Sequence, residues 1–153
     1  MESLHPRVML IWSVQGVIFA AILGAISAAV DLFVLDYGFQ LPLVVFGIVA
    51  VLMLVHTVLR FRIWRYEIRD DELYLERGVL TRVKTVVPYV RIQHVDSRRS
   101  PLERLLQLAT TVVYTAGSRG ADVVVPGLTP DRSERLQDDL KRLAIESEGE
   151  DAV

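Results

Sequence analysis

Arg60–Gly78, RFRIWRYEIRDDELYLERG, is where the chain changes its period. Before Arg60 the apolar residues run together without charge. From Trp64 onward, Trp64, Tyr66 and Ile68 alternate with Arg65, Glu67 and Arg69, the two-residue repeat of a half-buried strand. Asp70, Asp71 and Glu72 make an acidic turn, and LYLERG returns as a second strand ended by Gly78. An apolar helical part therefore meets a sheet-forming part here. Trp64 and Tyr66 also have a second reading, as the aromatic belt of a membrane interface.

Two charge-free runs lie upstream, VMLIWSVQGVIFAAILGAISAAV at 8–30 and LPLVVFGIVAVLMLVHTVL at 41–59. As helices they would reach about 35 and 28 Å, against a hydrocarbon core of about 30 Å. The pair predicts a two-span membrane hairpin, 8–59, preceded by a short N-terminus at 1–7. A cleaved signal peptide fits the first run poorly, because its charged n-region is thin, no A-x-A site follows and a second span comes soon after. Lys and Arg near span ends favour the cytoplasmic side. Arg7 precedes the first run and Arg60, Arg62 and Arg65 follow the second, whereas the connection DLFVLDYGFQ has Asp31 and Asp36 but no Lys or Arg. Both termini are therefore expected in the cytoplasm, and the connection is too short to hold a domain. Gly16, Ala20, Gly24 and Ala28 recur at every fourth position of the first run, a small-residue stripe that lets another helix approach closely. The second run of the same chain is the simplest partner; a second copy or a partner membrane protein is the alternative. His56 falls one turn before Arg60 and is expected at the interface.

Downstream, further strands are expected at 82–88, 91–96, 108–117 and 121–127, with Gly117 and Gly120 bracketing a turn. Thr129 is a candidate N-cap and Pro130 suits a first helical position; Leu136, Leu140 and Leu143 then form one apolar stripe. The predicted architecture is a membrane α-helical hairpin followed by an α+β, mainly β domain at 60–145, a bent antiparallel sheet or open barrel with a C-terminal capping helix. ESEGEDAV, 146–153, reads as an acidic disordered tail.

The 153 residues contain no cysteine, which excludes disulfides, thiolate catalysis and Cys-based metal sites, and no asparagine, which excludes N-glycosylation. Net charge is −2 but uneven. Residues 60–119 hold twelve Arg/Lys against seven Asp/Glu, and residues 120–153 hold four against nine. The basic half is the one nearer the hairpin, where anionic lipid would attract it.

RIQHVDSRRSPLERLLQ, Arg91–Gln107, is the most polar stretch that could carry chemistry. Ser100, Pro101 and Glu103 spell a capping box with proline at the first helical position, which accounts for the serine. Leu102, Leu105 and Leu106 are expected to face the core. His94 and Asp96 share a strand face, but a metal needs three or more ligands and the other histidines, His5 and His56, flank the apolar runs. Arg82, Lys84, Arg91, Arg98 and Arg99 fall on neighbouring strands and a turn, and are candidates for an anionic head group or acidic groups of a partner. No Gly-rich phosphate loop accompanies them, no cofactor is implied, and a net charge of −2 without a binding motif argues against nucleic acid.

The chain resembles the bacterial and archaeal pleckstrin-homology-like domains of the YdbS/YdbT membrane-protein type. The residues that carry the resemblance are W-R-Y-x-I at Trp64–Ile68, L-x-L-E-R-G at Leu73–Gly78, V-P-x-x-R-I-Q-x-V at Val87–Val95, L-E-R-L-L at Leu102–Leu106, T-A-G at Thr115–Gly117 and V-P-G-L at Val125–Leu128. The resemblance implies a β-barrel closed by a C-terminal helix, at the cytoplasmic face and without established catalysis. Two positions depart from it. Gln107 stands where that pattern suggests glycine. Asp70-Asp71-Glu72 replaces the basic first turn of lipid-binding pleckstrin-homology domains, so phosphate binding at that turn does not carry over. The expected function is non-enzymatic protein interaction within a membrane complex, as a homo-oligomer or with a partner membrane protein. Recognition of anionic lipid in the bilayer is the alternative, and an enzyme the third class.

Overall fold

A computed structural model of the protein describes residues 1–35, 37–117 and 122–151. Two compact units divide the chain. One is Met9–Arg62; the other combines Met1–Val8 with Ile63–Val153.

The first unit is helical. α1 (Val8–Val30) ends in a π-helical turn at Asp31–Leu35, and α2 (Gln40–Ile63) follows. Both are long and apolar enough to cross a bilayer. The Asp31 carboxylate holds the connection by accepting the backbone N–H groups of Tyr37, at 2.8 Å, and Gly38, at 3.0 Å; Asp36 lies outside the described residues. A Cβ on Gly16 would stand 2.8 Å from Met53 Cβ, and one on Gly24 would stand 3.2 Å from Phe46 Cβ. Eight residues forward on α1 thus match seven residues back on α2, so the helices are antiparallel. Ala20 is fully buried and Ala28 half-buried. Gly16 and Gly24 of the small-residue stripe pack against the chain's own second helix. α2 runs past the predicted end at 59 to Ile63, because Arg60 and Arg62 are good helix formers that complement the dipole at a helix C-terminus. Arg60 lays its guanidinium 4.0 Å from the ring centre of Trp12.

The second unit contains two antiparallel sheets that do not close into a barrel. The first has the order β1 (Glu2–Ser3), β2 (Arg65–Ile68), β3 (Glu72–Arg77), β4 (Val83–Pro88). The second has the order β5 (Ile92–Arg98), β6 (Ala109–Thr115), β7 (Val123–Leu128). A single turn of 3₁₀-helix at Tyr89–Arg91 makes the corner between them. α4 (Pro130–Asp151) packs on the second sheet through buried Leu136 and Leu140. Ser133 joins it there by hydroxyl contacts of 2.7 Å to Ser97 and 2.8 Å to Thr111. Thr129 caps it, its hydroxyl accepting the Arg132 N–H at 3.4 Å.

The N-terminus corrects the sequence reading. Residues 1–7, bounded in the sequence reading as an N-terminus outside the domain at 60–145, group with the sheet unit. Glu2 pairs with Tyr66 and Ser3 with Arg65. Leu4 and Val8 are each 2% exposed, and the His5 N–H donates to the Gly127 carbonyl at 2.7 Å. The Tyr66 hydroxyl donates to Glu2 at 2.6 Å, and Arg132 bonds both Glu2 and the Ser3 carbonyl. The hydrogen bond from Tyr66, reinforced by Arg132, holds the Glu2 carboxyl below the usual carboxylate range, while burial pushes the Tyr66 hydroxyl up. A two-residue strand has no readable period, which is why the pattern missed it.

Other expectations also shift. Trp64 and Tyr66 are buried and meet edge to face at 6.4 Å, so they belong to the domain core and not to an interface belt, while Ile68 is exposed. The capping box of α3 (Pro101–Leu105) forms as expected, with Ser100 and Glu103 exchanging bonds of 3.3 and 2.7 Å. Leu105, however, is 79% exposed instead of facing the core, because the one-turn helix turns its half-buried Leu102 and Leu106 inward and directs Leu105 away. After it, Gln107 adopts φ +55°. The N–H groups of Gln107 and Leu108 return to the carbonyls of Arg104 and Glu103, a Schellman ending in which glycine would be free of strain. α4 continues to Asp151 where a disordered tail was expected from 146; glutamate is a good helix former, and extending a docked helix is cheaper than starting one. Gly120, expected with Gly117 to bracket a turn, lies outside the described residues.

Tyr89 locks the corner. It is 1% exposed, and its hydroxyl lies 2.6 Å from the Arg69 carbonyl, to which it donates, and 2.9 Å from that of Glu72. Burial pushes this hydroxyl up to about 12, with Asp70, Glu72 and Asp71 adding to the effect. An unfolded tyrosine ionises near pH ~10. The folded state therefore favours the neutral phenol, and the stabilisation present below pH ~10 is lost as pH rises towards ~12. Tyr89→Phe is expected to cost about 1–2 kcal/mol at neutral pH and to blunt the alkaline loss, as read from denaturation midpoints across that range.

Candidate functional site

The sheet edges decide where this domain can accept something. The outer edge of β5 faces α4, and the Gln137 amide donates to the Val95 carbonyl at 2.6 Å. On β7 the Gly127 carbonyl is taken by His5, and β1 is two residues long. β4 is a six-residue edge, and neither it nor β7 has a strand paired on its outer side among the described residues. Its sequence, VKTVVP, combines β-branched residues with a proline that ends the ladder. Val83 is 42% exposed and Val86 47%. Alongside β4 runs a groove of about 340 Å³, lined by Thr85–Pro88, Arg91, Ala116 and Val123.

The predicted basic set is not brought to one place. Arg82 precedes β4, is 70% exposed and lies 3.9 Å from Glu76; Lys84 is opposite Glu76 in the ladder. Arg91 is at the corner and lines the groove. Arg98 ends β5 and bonds the Tyr114 hydroxyl, over whose ring it sits at 5.7 Å. Arg99 donates to the Leu108 carbonyl at 3.1 Å. Strands of six and seven residues separate the corner from Arg82 on one side and Arg99 on the other, each about 20 Å long. Five cations therefore divide into a corner residue and two outlying groups.

His94 stacks on Tyr114 with ring centres 4.1 Å apart, and among the described residues no group of three or more His, Asp or Glu is placed to hold a metal. A second cleft, about 360 Å³, also meets the corner end of β4, at Pro88, and is lined by Asp70, Asp71, Tyr89, Leu143 and Glu146. It is acidic, the opposite of the groove at Arg91. The openness of the β4 edge was not legible in the sequence, because strand order within a sheet does not follow from the period of a single strand.

A model of the family described as the bacterial PH domain matches residues 14–144. The chain belongs to the bacterial PH domain family. It is 30% identical over 151 residues to the UPF0699 transmembrane protein YdbS of Bacillus subtilis (strain 168), a match covering 94% of this chain and 92% of that protein. It is also 23% identical over 93 residues to the UPF0699 transmembrane protein YdbT of the same organism, covering 60% of this chain and 19% of that longer protein. No solved structure gives a significant match. This bacterial PH-domain chain is thus a membrane protein with a PH-like domain, as the sequence resemblance implied.

Proposed function

We propose that the protein is a non-enzymatic two-span membrane anchor whose PH-like domain holds a partner protein at the cytoplasmic face. The observation that carries this reading is the open β4 edge beside the Arg91 groove. An unpaired edge offers main-chain donors and acceptors to an extended segment, and side-chain pockets beside it give selectivity. Arg91 favours an acidic segment there. The groove volume, 340 Å³, is at the lower end of the ~300–1,000 Å³ of ligand pockets.

The anchor half of the proposal draws on the antiparallel helix pair and on the pairing of Glu2–Ser3 with Arg65–Tyr66. Strands before and after the hairpin share one sheet, which supports one side of the membrane for both. The arginines at 7, 60, 62 and 65 favour the cytoplasm for that side. The absence of catalysis is supported by the roles of the groups with shifted ionisation outside α1 and α2: Glu2, Tyr66 and Arg132 fasten the first strand, Tyr89 fastens the corner, and Glu67 and Arg69 pair with each other.

A photo-crosslinking residue at Val86 tests the partner in intact cells. An adduct of defined mass is expected, reproducible, and abolished by Arg91→Glu; the same probe at Glu134 on α4 should not give it. No adduct from Val86, or one indifferent to Arg91→Glu, would overturn the reading.

A further inference from the structure

Register places several features at one end of the first sheet. Ser3, Arg65, Glu76 and Lys84 are successive partners across β1, β2, β3 and β4. At this end the chain leaves β1 for α1, and here it returns from α2 into β2. The β3–β4 loop, Gly78–Arg82, projects from the same end. Its tip is Leu80, 96% exposed, the most exposed large apolar side chain among the described residues. Arg77, Arg82 and Lys84 flank it, with Glu76 the one acid among them.

The second sheet repeats the arrangement independently. Between β5 and β6, α3 carries Leu105, 79% exposed, with Arg99 and Arg104 near it in sequence. This tip also lies beside the segment that enters α1. Arg7 reaches the Leu106 carbonyl at 3.4 Å and the Gln107 amide oxygen at 3.5 Å, and His5 bonds Gly127 near the end of β7. The opposite end of the domain is acidic, with Asp70, Asp71 and Glu146 lining one cleft.

A leucine held out in water beside arginines has a use where the first few ångströms beyond the protein are an anionic interface. Its side chain gains from leaving water, the guanidinium heads stay with the phosphates, and the acidic end points away. We infer that the rim bearing Leu80 and Leu105 rests on the anionic surface of the bilayer that holds α1 and α2, with both leucines entering its interface. This rests on the membrane-anchored reading above. It gives Arg82, Lys84 and Arg99 a lipid role and leaves Arg91, at the corner, for a protein. The acidic β2–β3 turn, which would repel such a surface, is at the far end.

The chain has no cysteine, so single cysteines can be labelled cleanly. The full-length protein carrying Leu80→Cys, Leu105→Cys, Asp71→Cys or Ile22→Cys, each bearing an environment-sensitive nitrobenzoxadiazole, is reconstituted into vesicles of phosphatidylcholine containing phosphatidylglycerol. Labels at 80 and 105 should emit to the blue of the label at 71 and be quenched by lipids spin-labelled near the headgroup. Arg82→Glu with Lys84→Glu should weaken this at 80, as should high salt. The Ile22 label reports the anchor. If it is apolar while either tip label is as aqueous as that at 71, the inference falls and the anchor stands. If the Ile22 label is itself aqueous, the anchor reading falls and the inference with it.

Discussion

Leu4→Ala is expected to destabilise the PH-like domain by about 2–5 kcal/mol, the range for emptying a fully buried leucine site. Four residues from the N-terminus such a cost is unusual, since chain ends are ordinarily loose. Here Leu4 is 2% exposed and sits between two fastenings, the Glu2–Ser3 ladder with Tyr66 and Arg65 and the bond from His5 to Gly127. The strand that Leu4 follows pairs with residues beyond the hairpin. α1 and α2 have 23 and 24 residues and are antiparallel, so the chain returns near its starting level and the long excursion between β1 and β2 is closed by the helices themselves. The variant should unfold at lower denaturant with the helical signal of the hairpin retained. A loss within about 0.5 kcal/mol, the range of surface substitutions, would mean that the first strand is not part of the domain.

Gly78→Ala is expected to cost about 3 kcal/mol or more. Gly78 has φ +98°, where a side chain is strained whatever its surroundings, and an added Cβ would lie 2.0 Å from the Thr81 carbonyl oxygen. Backbone on the other side of the loop would have to move, which pulls on β3 and β4 together. Because Leu75 and Val87 are buried in those strands, the loss should reach the whole sheet and not stop at the loop. Leu80→Ala, two residues away at an exposed tip, is the control and should leave stability within about 0.5 kcal/mol. Equal effects at the two positions would contradict the loop geometry.

Much of the fold was legible because its signals are local. The switch of period after Arg60, the S-P-x-E box at Ser100 and the leucine stripe of α4 each depend on residues within a turn or two, and each appears close to where the sequence puts it. What escaped depends on distant partners. Glu2–Ser3 becomes a strand only because Arg65 and Tyr66 are beside it, and β4 becomes an edge only because β3 is its sole neighbour among the described residues. Leu105 matched the core pattern at helical spacing, but one turn of helix cannot present three leucines to one surface. Gln107 stands where the family resemblance suggested glycine, and its left-handed backbone keeps the turn that glycine would make.

The candidate site was legible as residue types and not as an arrangement. The sequence names the basic residues, but only register shows that Arg82 and Lys84 belong to the end of the sheet joined to the helices, and only the corner turn sets Arg91 apart. The uneven charge along the sequence, basic before residue 120 and acidic after it, becomes a direction in space. α4 carries its acidic end towards Asp70 and Asp71, away from the residues that lead into the hairpin.

The central proposal, a hairpin that leaves the PH-like domain, crosses the membrane twice and returns to it on the cytoplasmic side, is tested most directly by thiol labelling in intact cells. Single cysteines replacing Tyr37, between the helices, and Asp71, in the β2–β3 turn, are treated with a membrane-impermeant maleimide before and after the membrane is opened. Tyr37→Cys should label in intact cells and Asp71→Cys only after opening. Labelling of Asp71→Cys in intact cells, or of Tyr37→Cys only after opening, would contradict it.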